Sequence, residues 1–175
     1  MQMETFVLEE KNFGEAQQAY NTYPQVEQRY NEKLNEYRSS FNDLNIKNLA
    51  DIKVEDMRRV DVLADETESA QQTCFELKNI LLGKIDELVL DAKQKDDDIG
   101  KISKEMSDEL GLDHGRLIMD EAQNLKEKGD IIKALDQAYM ARESFTSLLA
   151  EIRERWASTH QKRIYGLMVG MEIIE

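Results

Sequence analysis

The sequence predicts an all-α fold, an elongated antiparallel bundle of three or four helices with coiled-coil-like packing. Three observations carry this. Apolar residues return in steps of three and four along most of the chain, the spacing that lays one apolar stripe along an α-helix. The 175 residues include one Pro and eight Gly, so strong helix breakers are scarce. Two such stretches meet at Gly129-Asp130, where Gly suits the left-handed residue that ends a helix and Asp suits the cap of the next.

Composition narrows the function classes. With 41% hydrophobic and 34% charged residues the chain is a packed helical protein rather than a disordered one, and its length fits a single domain over 1–175. A net charge of −13 disfavours a chain that coats DNA or an anionic membrane, because either surface repels it as a whole. Glu-rich helix surfaces explain most of that acidity without any steering role. The one cysteine, Cys74, excludes an internal disulfide and a Cys-based zinc site within one chain. No stretch approaches the roughly 20 apolar residues that span a bilayer, and the first residues are acidic where a signal peptide is basic, so a cytoplasmic protein is expected.

Residues 1–23 read as an N-terminal arm, with Thr5 to Leu8 either a first helical turn or a docking strand and a helix over 14–20. Pro24 is expected near the first position of the next helix, where its missing N–H costs nothing. Val26, Tyr30, Leu34, Tyr37, Phe41 and Leu44 then form its apolar face, and Ile46, Leu49 and Ile52 are placed to seal one end of a core. The long series Val60, Leu63, Thr67, Ala70, Cys74, Leu77, Leu81, Ile85, Leu88 and Ala92 reads as one helix, thin in its first half, with Cys74 a small core residue rather than a reactive thiol. Lys93 to Asp98 breaks the apolar pattern and is expected to be a solvated turn, with Asp98 capping a short helix that ends at Gly111. Another helix runs from Asp113 to Gly129, unless the two pieces are one helix kinked between Gly111 and Gly115. From Asp130 the stripe Ile131, Leu135, Ala138, Phe145, Leu148, Leu149, Ile152 and Trp156 is wide enough for more than one neighbour.

Helices over 54–92, 99–128 and 130–165 are each on the order of 45 to 60 Å long. Joined by short turns they run up, down and up, with the helix over 24–44 covering part of the remaining groove. The bundle therefore spans 24–163, and its proportions resemble a spectrin-type unit.

Signals for catalysis are few. There is no Gly-rich phosphate loop, no paired His at helical spacing and no nucleophile elbow. Asp96, Asp97 and Asp98 lack the alternating spacing, Gly and terminal Glu of a calcium loop, and no Glu-x-x-His marks a carboxylate metal site in the bundle. Neither metal nor cofactor is expected. His114 reads as a solvated residue near a helix start.

The one departure from acidity is the run Arg153, Arg155, Lys162 and Arg163, with His160 among them. Cations near a helix C-terminus suit the helix dipole, and the same cluster suits grip on an acidic partner. Arg155 and His160 stand at the Arg-x4-His spacing and so resemble the HEPN family, helical bundles that include metal-independent ribonucleases working as dimers. That resemblance implies Arg155 as a stabiliser of phosphate charge and His160 as general acid or base, with Trp156 standing where the family has a polar residue.

Residues 118–145 resemble a single tetratricopeptide repeat, with Ala122, Leu125, Gly129, Ala134 and Ala141 at that repeat's spacing. One copy cannot form a solenoid, so the resemblance implies a local solution to close helix packing.

Residues 164–175 are apolar again, with Leu167, Met168 and Met171 among them. Packed within the bundle they are core. Projecting beyond it, they are a site for a partner or for self-association. The expected function is therefore a non-catalytic interaction or scaffolding protein that binds a protein partner or forms a homodimer. Arg153, Arg155, Lys162, Arg163, Leu167, Met168 and Met171 are its candidate contacts, and neither nucleic acid nor a membrane is an expected partner. The alternative is a HEPN-like RNA-binding or RNA-cleaving domain using Arg155 and His160.

Overall fold

The computed structural model describes residues 11–44, 46–102 and 112–172, with side chains through Met168. The fold is an all-α helical bundle. Among the described residues there are four α-helices, α1 (Gln17–Asn42), α2 (Val54–Ile102), α3 (Leu112–Lys128) and α4 (Ile131–Glu172), and no strand. Short 3-10 turns cover Gly14–Ala16 and Leu49–Asp51. The chain divides into two compact units, residues 1–84 and 85–175, and α2 contributes to both.

In the first unit the chain enters α1 through a turn at Gly14, whose φ of +58° is the left-handed region that glycine adopts without strain. The Asn12 side-chain oxygen accepts from the Gly14 N–H at 2.8 Å, and the Phe13 N–H donates to Gln17 Oε1 at 3.0 Å. Phe13 is buried with its ring 4.6 Å from that of Tyr20. The expectation that Pro24 opens the helix is corrected, since Pro24 lies inside α1. An interior Pro costs about 3 kcal/mol. Burial of Phe13, Ala16, Ala19 and Tyr23 at helical spacing across this segment offsets that cost. Residues 13–23 are thus core and helix rather than arm, whereas Thr5 to Leu8 lie outside the described residues.

α1 and the first half of α2 form an antiparallel hairpin. Lys33 Nζ meets Glu66 at 2.8 Å, the Gln71 amide donates to the Tyr30 hydroxyl at 3.4 Å, and Tyr23 reaches Cys74. Two helices cover only one side of each other. Accordingly Val26, Tyr30, Leu34, Tyr37 and Leu44 are half-buried and Phe41 is exposed. Ile46 and Leu49 are exposed too, so they do not seal a core as expected, and only Ile52 is partly covered.

In the second unit α2 runs straight through residues 93–98, which corrects the expected turn. The polar run is the outer face of a continuing helix. Ala92 and Ile99, seven apart, both enter the core, while Lys95 pairs with Asp91 at 2.5 Å and Arg116 of α3 takes both carboxylate oxygens of Asp96 at 2.9 Å. Ile102 therefore belongs to α2, and Met106, Leu110 and Gly111 lie outside the described residues. Lys126 of α3 pairs with Asp86 farther back, which makes α3 antiparallel to α2.

α3 ends as expected at Gly129, with φ of +82°. The Asp130 N–H donates to the Leu125 carbonyl at 3.0 Å and the Gly129 N–H to the Lys126 carbonyl at 3.1 Å, a Schellman motif. Asp130 then starts α4, its carboxyl held below its usual range by the Lys133 ammonium and, to a lesser extent, the Lys133 backbone N–H. The core beneath contains Ala92, Ile99, Leu112, Ala141, Phe145, Leu148, Leu149 and Ile152. Gly115 lets α3 approach α4 closely, since a Cβ there would lie 2.8 Å from Phe145 Cζ.

Candidate interaction surface at the end of the last helix

Burial on α4 stops at Ile152, and every residue from 153 to 168 is exposed. The helix nevertheless continues to Glu172. Its sequence explains this, because Arg, Glu, Ala, Leu and Met favour helix, and Glu151 pairs with Arg155 one turn on at 2.6 Å.

At about 100° per residue, Trp156, Ala157, Ile164, Leu167 and Met168 fall on one side of this helix, within about 120° of arc. Trp156 is 54% exposed, Ile164 57%, Leu167 65% and Met168 61%. Arg153 and His160 share that side, Arg163 borders it, and Arg155 and Lys162 lie opposite. Four cations against Glu154 give residues 153–168 a net charge of +3 on a chain of −13. Arg153, Lys162 and Arg163 form no ion pair among the described residues. The candidate contacts read from the sequence, Arg153, Arg155, Lys162, Arg163, Leu167 and Met168, thus share one exposed helical segment. The backbone of Met171 continues it, and its side chain lies outside the described set.

Arg155 and His160 are both exposed. Five positions apart on one helix they point about 140° apart. Arg155 is committed to Glu151, and the His160 ring lies 4.5 Å from Trp156, tilted by 45°. His114 is exposed in the first turn of α3. The residues at tetratricopeptide spacing sit at the α3–α4 crossing, where Ala122, Ala134 and Ala141 are fully buried and Leu125 partly so.

A second feature, an open groove in the first unit, was not legible from the stripe pattern. It has a volume of about 490 Å³ and lies between α1 and α2, lined by Val26, Arg29 and Lys33 on one side and Asp65, Ser69 and Ala70 on the other. The signal was the thin stretch of small residues around Ala70. Hydrogen bonds with Glu66 and Glu36 raise the Lys33 pKa, and the reciprocal bond with Lys33 holds Glu66 below the usual carboxylate range. Nearby, burial pushes the Tyr23 phenol and the Cys74 thiol up. Among the described residues no group of three or more His, Cys, Asp or Glu is arranged to hold a metal ion, and no helix is long and apolar enough to cross a membrane.

No protein-family model matches the chain, and comparison with curated proteins and with solved structures finds no match.

Proposed function

We propose that this chain is a non-catalytic helical interaction or scaffolding protein that binds a protein partner, a second copy included, through exposed helix faces, and that it works in the cytoplasm. One observation carries the reading: α4 outlasts the packing of its own bundle and presents Trp156, Ile164, Leu167 and Met168 to solvent along one side. An apolar stripe rimmed by charge is the surface expected of a protein-binding helix, and exposed Trp and Met are frequent anchors of such contacts. The cytoplasmic setting rests on the free, buried Cys74, which suits a reducing compartment.

The test is site-specific photo-crosslinking with benzoylphenylalanine at Leu167, compared with the same probe at Ser158 on the far side of the helix, in extracts of the producing cells. The reading expects a discrete protein adduct from position 167 and none from 158. Absence of any protein adduct at 167 overturns it.

A further inference from the structure

We propose that the exposed end of α4 docks on the open side of the α1–α2 hairpin of a second copy of this chain, converting a two-helix pair into a three-helix bundle. This rests on the reading of that end as a protein-binding face, and it names what the face binds.

Charge decides first between the ways two copies can meet. Side by side, two α4 ends bring +3 against +3, whereas removing +3 from −13 leaves the remainder of each chain at −16. Like charges at an interface are repulsive, so the end seeks an acidic surface rather than its own counterpart.

The α2 wall of the hairpin's groove supplies such a surface, across from the Arg29 and Lys33 that line the α1 wall, Lys33 being paired with Glu66. On α2, Val62, Ser69, Thr73 and Ile80 recur at helical spacing along the side that opens into the groove, with Val62 55% and Ile80 48% exposed. Small residues at Ser69, Ala70 and Thr73 leave room between these apolar ends for the Trp156 ring. Exposed Asp61, Asp65 and Glu68 form the adjoining stripe, one acidic edge for Arg163, which borders the apolar side of α4, and for Arg153, which shares it.

Lengths agree as well. From 153 to 168 the helix spans about 23 Å, and from Val62 to Ile80 about 27 Å. The half-buried α1–α2 seam is what a three-helix bundle looks like with its third helix removed. Each copy owns one end and one groove, so two copies offer two such contacts to each other.

The test is a charge swap on the full-length chain. Wild type is expected to sediment as a dimer at about 50 µM. The variants R153E/R163E and D65K/E68K, all at exposed positions, should each dissociate at least tenfold more readily while keeping wild-type helicity. Mixed in equal amounts they should dimerise again, because both contacts then pair opposite charges. A wild-type chain that stays monomeric at this concentration overturns the proposal. So does a mixture that fails to dimerise.

Crosslinking from Leu167 gives a readout independent of the variants' folding. An adduct at twice the chain mass, joined to an α1 or α2 peptide, supports the proposal, and an adduct to α4 of the second copy overturns it. An adduct to a different protein with a monomeric chain also overturns it, yet leaves the broader protein-binding reading standing.

Discussion

Replacing Gly115 by Ala tests the closest helix–helix approach in the second unit, and two effects of opposite sign compete in it. Ala in place of a helix-interior Gly stabilises by about 0.5–1 kcal/mol through backbone entropy. The added Cβ, however, would lie 2.8 Å from Phe145 Cζ, closer than real Cβ atoms essentially ever come, and 3.1 Å from both Cε atoms, which is tight but not forbidden. Phe145 is fully buried among Ala141, Leu148, Leu149 and Ile152, so its ring has nowhere to swing, and overpacking of this kind costs about 1–3 kcal/mol. The clash wins, with a net loss of about 1 kcal/mol and a melting temperature lower by about 2–4 °C. Gly83 is the internal control, because a Cβ there meets nothing within 4 Å, and G83A should raise the melting temperature by up to a similar amount. Thermal and urea denaturation followed by circular dichroism measure both. If G115A stabilises as G83A does, the α3–α4 contact is looser than described and the reasoning fails. A double variant G115A/F145L should lose less than the sum of the single losses, since removing the ring edge relieves the clash.

Other outcomes follow from the same physical picture. Glu66 has its pKa depressed by Lys33, so its contribution to hairpin stability is present above its ordinary value of 4.5 and is lost as pH falls through the depressed value; Lys33→Met should flatten the acid limb of a melting-temperature profile. Thr67 is buried and its hydroxyl bonds the Leu63 carbonyl at 2.6 Å and the Lys33 carbonyl at 3.2 Å, so Thr67→Val should lower the urea midpoint by the equivalent of about 1 kcal/mol, and an unchanged midpoint would deny that hydroxyl a structural role. Cys74 is buried with a raised thiol pKa, and it should react with a thiol reagent at pH 8 far more slowly in the native chain than in denaturant. Deleting residues 164–175 should leave the melting temperature within a degree or two and abolish self-association, read by light scattering; an unchanged mass counts against the role of that segment.

Much of the local architecture follows from the sequence alone. Period and composition determine helix at residues 60–92 and 131–156, and the Gly129-Asp130 pair determines where one helix stops and the next begins, because a left-handed glycine and a capping carboxylate act over a few bonds. The candidate surface was partly legible for the same reason: cations and apolar residues after Ile152 share a helix, and helix is a local property. Tertiary structure decided the rest. Whether residues 93–98 turn or continue depends on Ile99 reaching the core and on Asp96 finding Arg116, a partner twenty residues away. Pro24 inside α1 is tolerated because Phe13, Ala16, Ala19 and Tyr23, just ahead of it in the chain, are buried. The same holds for the functional surface. An apolar stripe at helical spacing reads identically whether it is covered or bare, and only the end of burial at Ile152 distinguishes the core half of α4 from the half that faces solvent. Burial is a property of neighbours, and neighbours distant in sequence leave no mark on local periodicity.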